Sequence, residues 1–319
     1  MPLPSRPLRI GTRGSPMALS QTRAVRDRLV AAHPELAAPD AVEIVTIRTT
    51  GDRVQNRPLA EIGGKGLFAK EIDEALRDRR VDLAVHSLKD LETWLPDGIV
   101  IACIPPRDDP RDALLSPRWP RLDSLPKGAV VGTASLRRQA QLLHHRPDLK
   151  VVALRGNAGT RIRKLDAGEV DATLLALSGL QRIGCADRAT EILPREIMLP
   201  AVGQGALAVE CRAADEAIRA LLAPLDDPPS AACATAERAL LAALDGSCHT
   251  PIAALAEIEH GALTIEGLLL TPDGSRAIRA RRTGAVADAA PIGAELGAEL
   301  RARAGPEFGL GRSSGLATD

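Results

Sequence analysis

The chain is poor in aromatic residues, with no tyrosine and only two tryptophans and two phenylalanines among its 319 residues. Its 41 basic and 41 acidic side chains balance, so the formal net charge at pH 7 is zero. A general nucleic-acid-binding protein needs a basic surface and often aromatic side chains on which bases stack. The composition therefore argues against that class, and any role of the basic residues must be local.

Cysteine is sparse and irregularly spaced. An odd number of cysteines without a C-x-x-C pair indicates neither a disulfide framework nor a zinc site. The N-terminal run lacks an apolar signal region, and no apolar run is long enough to span a membrane. We therefore expect a reducing, cytoplasmic location with no metal and no membrane partner. The cysteines are Cys103, Cys185, Cys211, Cys233 and Cys248.

What the chain does contain, over its first two-thirds, is an alternation of short apolar runs with helical patterns. The runs at 8–12, 42–47 and 81–86 read as strands. Between the first two, Ala18, Thr22, Val25 and Leu29 fall on one face of a predicted helix. A strand–helix–strand rhythm of this kind is typical of parallel sheets covered by helices.

The rhythm repeats within the chain. The run V-V-G-T-A-S-L-R-R-Q-A at 130–140 resembles I-G-T-R-G-S-P-M-A-L at 10–19 in its strand, Gly-Thr turn and following helix. This predicts two similar α/β lobes, joined by crossings at 105–112 and 198–205 and enclosing a hinged cleft. Ligands in such sheets bind at the carboxyl ends of strands.

The pattern changes after D-D-P-P-S, where an Ala/Leu-rich helix precedes alternating strands. This indicates a small α+β third domain. The predicted boundaries are 1–105 with 206–225 for the first domain, 106–205 for the second and 226–319 for the third.

Arginines recur at predicted strand ends and helix starts. A guanidinium fork binds a carboxylate through two parallel hydrogen bonds, and a helix N-terminus or serine hydroxyl adds anion-binding donors. Any single arginine could be an ordinary surface residue. Their repetition at equivalent positions favours a ligand rich in carboxylates. The residues are Arg13, Ser15, Ser135, Arg137, Arg138, Arg155 and Arg161.

Three further features are candidates for chemistry. Asp90 follows Lys89 in a polar loop after a strand, where a carboxylate could transfer a proton or stabilise a cation, although a solvated ion pair is the plainer alternative. Cys248 follows a Gly-Ser turn and precedes Pro251, which favours an exposed thiol over a small buried hydrophobe. The run G-G-K-G-L-F at 63–68 is either a mobile lid with Lys65 facing an anion or a glycine-rich turn. It is not a Walker A motif, and no G-x-G-x-x-G occurs.

Taken together, these segments resemble the porphobilinogen deaminase (hydroxymethylbilane synthase) family. The similarity runs in family order from about residue 8 to residue 277, and the ordered set is highly specific. The matching runs are T-R-G-S-P-M-A-L, G-G-K-G-L-F, A-V-H-S-L-K-D, D-D-P-R-D-A, G-T-A-S-L-R-R-Q, L-R-G-N-A-G-T-R, L-P-A-V-G-Q-G-A and G-S-C-H-T-P-I.

The resemblance implies two lobes like those of periplasmic binding proteins and a third domain that carries a cofactor. That cofactor is a dipyrromethane joined by a thioether to the cysteine matching Cys248, and the catalytic carboxylate matches Asp90. Residues matching the cofactor-binding set are Lys89, Ser135, Arg137, Arg138 and Arg161. Residues matching the substrate-binding set are Arg13, Ser15, Gln21, Lys65, Arg155, Arg182 and Gln204. The sequence departs from the pattern at Glu61, Ala134 and Glu92, which affects the lid and the catalytic loop.

The implied reaction accounts for the residue types. Porphobilinogen is a pyrrole with an aminomethyl arm, an acetate and a propionate, so each added ring brings two carboxylates to be bound. Loss of ammonia leaves a cation that Asp90 would stabilise, while the thioether keeps the growing chain attached. The family implies a monomer that needs neither metal nor nucleotide.

Two other classes of protein compete with this interpretation. A non-catalytic two-lobed anion-binding module would share the fold, since fold does not fix function. It predicts an unmodified Cys248 and usually an export signal. An RNA-binding protein is disfavoured by the zero net charge and the scarcity of aromatics.

Overall fold

The computed structural model describes residues 7–53, 69–245 and 250–310. No helix among them is long and apolar enough to cross a membrane. Their strands are β1 (Leu8–Arg13), β2 (Val42–Ile47), β3 (Leu83–Ser87), β4 (Ile99–Cys103), β5 (Asp112–Leu115), β6 (Val130–Gly132), β7 (Lys150–Val152), β8 (Ala172–Ala176), β9 (Glu191–Ile192), β10 (Leu207–Arg212), β11 (Ile252–Glu259), β12 (Ala262–Leu270) and β13 (Ala277–Ala285). Their α-helices are α1 (Pro16–Ala32), α2 (Thr50–Arg53), α3 (Lys70–Arg77), α4 (Leu136–His145), α5 (Ala158–Asp166), α6 (Leu177–Arg182), α7 (Glu216–Leu222), α8 (Pro228–Ala243) and α9 (Ala289–Arg303).

Backbone contacts divide the chain into two compact units. One unit contains Met1–Asp108 and Ala206–Ala231, and the other contains Asp109–Gly205 and Ala232–Asp319. The second unit thus includes both the second sheet and the C-terminal segment. The three-domain boundaries expected from the sequence stay a prediction.

The first unit is built on a five-stranded mixed sheet in the order β2-β1-β3-β10-β4. Strands β2, β1 and β3 run parallel, whereas β10 runs antiparallel to both of its neighbours. Helix α1 begins where Ser15 accepts a hydrogen bond from the backbone N–H of Ala18, a standard N-cap. Its predicted apolar face is confirmed, because Val25 and Leu29 are fully buried against the sheet.

The second unit contains a sheet in the order β7-β6-β8-β5-β9. Here too three strands are parallel, and the antiparallel strand β5 lies beside β8 as β10 lies beside β3. The two sheets share one strand order, which confirms the repeated α/β lobe predicted from the sequence. The carboxyl ends of β6, β7 and β8 therefore lie along one edge of this sheet.

The C-terminal part of the second unit is the small α+β domain that the sequence predicts. Strands β11, β12 and β13 form an antiparallel sheet, and α8 and α9 cover one of its faces. Helix α9 approaches α8 closely at Gly297, where a Cβ would lie 2.6 Å from the backbone oxygen of Leu240. Residues of β11 and β12 pack with Ala140 of α4 and Leu199, so this domain lies against the second lobe. The expected fold class, two α/β lobes plus a small α+β domain, is confirmed.

Candidate active site

The loop that carries Asp90 is anchored in the core of the first unit. Strand β3 runs into a 3-10 turn at Leu88–Asp90, and Leu88 is buried while Lys89 and Asp90 are exposed. The backbone N–H of Leu88 donates to the carbonyl of Ala206 at 3.0 Å. An apolar anchor and a backbone hydrogen bond thus present the Asp90 carboxylate to solvent from a fixed turn.

Three other predicted residues of the first unit lie near the same edge of its sheet. Arg13 ends β1, and β1 lies directly beside β3 with parallel orientation. Gln21 is buried and donates from Nε2 to Oγ of Ser87 at 2.7 Å, one residue beyond His86 and three before Asp90. Ser15 caps α1 at this edge, and its O–H remains a donor because the cap uses its oxygen as acceptor.

Two predicted residues lie outside the described residues. These are Cys248, the expected attachment point of the cofactor, and Lys65 of the expected lid. The departure at Glu61 lies there as well.

The paired arginines of the second unit are buried rather than solvent-facing. Ser135 caps α4, so Arg137 and Arg138 occupy its first turn with 6% of each residue exposed. Both guanidinium groups donate to Asp112, the first residue of β5, which is fully buried. The contact from Arg137 is 2.7 Å to Oδ2, and Arg138 contacts Oδ1 at 2.7 Å and 3.0 Å.

The same carboxylate accepts a hydrogen bond from Gln204. Its Nε2 donates to Asp112 Oδ1 at 3.1 Å and to the carbonyl of Pro110 at 2.6 Å. Burial opposes the charge of Asp112, but the two guanidinium groups outweigh burial and lower the pKa of the carboxyl to about 2. Sequence reasoning assigned Gln204 and the two arginines but missed Asp112. The available signal was an acidic residue at the head of the apolar run D-A-L-L, because a buried charge requires a partner.

Further arginines of the second unit lie near this array. Asn157 caps α5, and so Arg161 lies within the helix as its fourth residue. Its Nε donates to the carbonyl of Gly156 at 2.9 Å. Burial, together with the positive charges of Arg138 and Arg155, lowers the pKa of Arg161 to about 10. Burial is the larger cause of this lowered pKa, and the two neighbouring guanidinium groups add to it.

Two more of the predicted site residues, Arg155 and Arg182, belong to the second unit. Arg155 follows β7 by three residues and is half-buried, so it lies beyond the strand instead of ending it. Arg182 ends α6 and donates to the carbonyl of Gly205 at 2.7 Å, beside Gln204. Arg138 shares Asp112 with Arg137, and Arg161 lies near enough to Arg138 and Arg155 to interact with their charges, so these four arginines form one cluster. The cluster is therefore suited to hold anionic ligand groups.

A second buried charged cluster lies in the first unit. His86 Nε2 is 3.1 Å from Glu210 Oε2, and the exposed fractions of these residues are 7% and 0%. Burial disfavours the imidazolium, yet Glu210 and Asp73 raise the pKa of His86 above its ordinary value. Burial and the nearby Glu210 raise the pKa of Asp73 to about 6.

The described cysteines are largely removed from solvent. Cys103, Cys211 and Cys233 are buried and Cys185 is half-buried, and none of the four is in a disulfide. Burial raises the pKa of Cys103 to about 12 and that of Cys211 to about 11. Neither of these two thiols is suited to act as a nucleophile at neutral pH.

Fold and site together define a mixed α/β protein with an arginine cluster beside buried Asp112 in the second unit and an exposed aspartate, Asp90, in the first. Comparison with known protein families shows to which family the chain belongs. Residues 8–220 match the family model "Porphobilinogen deaminase, dipyromethane cofactor binding domain", and residues 231–302 match "Porphobilinogen deaminase, C-terminal domain". The chain belongs to the porphobilinogen deaminase family, as the sequence motifs indicated.

Individual relatives agree over nearly the whole chain. The porphobilinogen deaminase of Nitrobacter hamburgensis is 53% identical over 299 residues, which cover 94% of each chain. That of Paracoccus denitrificans is 53% identical over 308 residues, covering 97% of this chain and 98% of the relative. Among solved structures, the methionine binding protein MetQ aligns with a TM-score of 0.42 and 15% identity over 68% of this chain and 89% of that chain. This last likeness is too weak to characterise the fold further.

Proposed function

We propose that this chain is a porphobilinogen deaminase (hydroxymethylbilane synthase). It condenses four porphobilinogen molecules head to tail on a covalent dipyrromethane and releases ammonia and the linear tetrapyrrole hydroxymethylbilane. The observation that carries the proposal is the arginine cluster beside Asp112, in a chain whose family match spans residues 8–220.

The arginine cluster fits the acidic side chains of the substrate and cofactor. Every pyrrole ring carries an acetate and a propionate, and guanidinium forks bind carboxylates with defined geometry. An anion bound there would also offset the repulsion that Arg161 experiences from Arg138 and Arg155. We assign Lys89, Ser135, Arg137, Arg138 and Arg161 to the cofactor. We assign Arg13, Ser15, Gln21, Lys65, Arg155, Arg182 and Gln204 to the substrate and growing chain.

Asp90 is the proposed catalytic residue. Its exposed carboxylate lies on a turn that buried Leu88 anchors in the core. A ligand can therefore reach the carboxylate without disturbing the fold. When the aminomethyl arm of the substrate loses ammonia, the pyrrole that remains is cationic. Asp90 binds the pyrrole N–H, stabilises the positive charge and transfers protons.

Cys248 is the proposed attachment residue of the dipyrromethane. Bound there, this group supplies a pyrrole with a free α-carbon as the nucleophile and keeps the product tethered until hydrolysis. The buried state of Cys103, Cys211 and Cys233 leaves these thiols unsuited to the role. The positive cluster provides the carboxylate-binding groups that such a cofactor requires.

The intact mass of the purified protein tests the proposal. We expect an excess equal to two linked pyrrole units, and ammonia release when porphobilinogen is added. An unmodified mass together with no ammonia release would instead support a non-catalytic anion-binding protein.

We further propose that the enzyme is a monomer and is cytoplasmic. The family resemblance supports the first statement, and the unpaired pattern of five cysteines supports the second. Light scattering coupled to size-exclusion chromatography tests the oligomeric state.

A further inference from the structure

The two oxygens of Asp112 organise three side chains of the second unit. Oδ2 accepts from Arg137, while Oδ1 accepts from Nε and one terminal nitrogen of Arg138 and from Nε2 of Gln204. Asp112 is fully buried and each of its three partners is at least nine-tenths buried. The carboxylate is therefore an internal ligand of the arginine pair.

Each guanidinium is also held at a second point. Another terminal nitrogen of Arg137 donates to the carbonyl of Leu199 at 2.7 Å, and that of Arg138 donates to the carbonyl of Leu174 at 3.1 Å. Two fixed acceptors define the plane of each fork. Each guanidinium group still has N–H groups that donate neither to Asp112 nor to a backbone carbonyl.

Gln204 connects this array to the loop before β10. The loop places the carbonyl of Gly205 where Arg182 donates to it at 2.7 Å. Asp112 therefore links the paired arginines of α4 to the neighbouring Gln204 and, through the loop, to Arg182.

We propose that Asp112 is a positioning residue that holds Arg137, Arg138 and Gln204 as one preset donor array for ligand carboxylates. This inference rests on the proposed function, which assigns these three residues to the cofactor and substrate. Without the carboxylate, the positive charges of the two buried guanidinium groups are not compensated. The two groups then repel each other and move apart. A ligand would then have to order them as it binds, which weakens binding.

The test compares Asp112→Asn with Asp171→Asn. Asp171 belongs to the same lobe and accepts from the backbone N–H of Val130 at 2.8 Å, but it contacts none of the three array residues. Both variants exchange a carboxylate for an amide of equal size. Each is produced as the full chain in cells that make no porphobilinogen, so that it is purified without the cofactor, and is then incubated with porphobilinogen at a temperature where it is fully folded by circular dichroism. Intact mass then follows the gain of two pyrrole units over time.

We expect the half-saturating porphobilinogen concentration for this loading to rise at least tenfold in Asp112→Asn relative to Asp171→Asn. The maximal loading rate should change by only a few-fold, because Asp90 is not part of the array. A purely structural role would leave the half-saturating concentration unchanged in the folded protein. Equal half-saturating concentrations in the two variants would overturn the proposal.

Asp112→Glu provides a second variant in case the amide prevents folding. It keeps the negative charge but displaces the carboxylate by one methylene, so we expect folded protein whose half-saturating concentration rises several-fold. A value equal to that of wild type would contradict positioning by Asp112. If the wild-type chain itself gained no pyrrole units, the proposed function would fail instead, and the two failures are thereby distinguished.

Discussion

Gln21 donates a 2.7 Å hydrogen bond from helix α1 to the hydroxyl of Ser87, the last residue of the strand that leads to Asp90. The bond ties the start of the turn that carries Asp90 to the helix capped by Ser15. Because Gln21 is 97% buried, its amide has little competition from water. The bond therefore fixes where the exposed turn begins.

We expect Gln21→Ala and Ser87→Ala each to lower kcat/KM, and the double variant to be no worse than the more impaired single one. Both substitutions remove the same hydrogen bond, which is worth about 1 kcal/mol. Steady-state kinetics of the four proteins measure the coupling. Additive losses would show that the two residues act independently.

Asp90→Asn should leave the fold intact and suppress ammonia release in a single turnover by about 10²–10⁴-fold. The amide keeps the shape of the side chain but neither neutralises a cation nor transfers a proton. Asp97→Asn, which changes an exposed carboxylate shortly after the turn, is the matched control and should behave like wild type. Ammonia release by Asp90→Asn within a few-fold of wild type would remove Asp90 from its assigned role.

Cys248→Ser should yield protein of unmodified mass and no turnover, because an alcohol is a far poorer nucleophile than a thiolate. Cys185→Ser removes a half-buried thiol elsewhere and should retain the added mass. Intact mass spectrometry of both variants shows which of them carries the added mass. A modified Cys248→Ser protein would place the attachment at another residue.

Arg138→Leu and Arg155→Leu should fail in different ways. Arg138 is a buried partner of Asp112, so its loss should cost about 3 kcal/mol of stability and give mostly apoprotein. Arg155 is half-buried, so its loss should cost less than about 1 kcal/mol and leave holoprotein that stalls with partial chains. Denaturant titrations and mass spectra, before and after substrate, separate the two outcomes. Full holoprotein with normal chain growth in both variants would contradict the assignment of these arginines.

Asp73→Asn should stabilise the protein at pH 7 by about 1–3 kcal/mol. The carboxyl ionises at its ordinary value of 3.8 when unfolded but at about 6 when folded, so wild-type stability falls as pH rises through that window. The raised pKa of His86 acts in the same direction above its ordinary value of 6.5, since the folded state holds that proton more tightly.

The groups around Asp73 are Glu210, His86, Arg77 and Glu74. Asp78→Asn changes an exposed carboxylate at the end of the same helix that is not among these groups, and serves as the control. Denaturant titrations from pH 4 to pH 8 should show a flatter profile for Asp73→Asn only. Parallel profiles for wild type and Asp73→Asn would show that this carboxyl is not responsible.

Local patterns in the sequence were sufficient for much of the fold. Alternation at 42–47 gave β2 with its observed bounds, and the helical spacing of Val25 and Leu29 gave the buried face of α1. The repeated strand–turn–helix motif predicted the second lobe. These features depend on residues close in the chain, so their periodicity is visible without a structure.

The buried charges could not be predicted in this way. Asp112 lies 25 residues before Arg137 and 92 before Gln204, and Glu210 lies far from His86. The apolar run that begins at Asp112 marks it as a buried charge, but nothing local identifies the distant arginines that neutralise it. Sequence motifs therefore predicted the candidate site residues, whereas the contacts that hold their side chains in place could not be predicted.

The order of strands in the first sheet has a consequence for synthesis on the ribosome. Strand β10 separates β3 from β4, yet it comes after the whole second sheet in the chain. The second sheet has all of its strands once residue 192 has left the exit tunnel, whereas the first sheet lacks an inner strand until residue 212 emerges. The lobe translated first is thus completed last, and the exposed edges of β3 and β4 are available to chaperones, or to aggregation, throughout that interval.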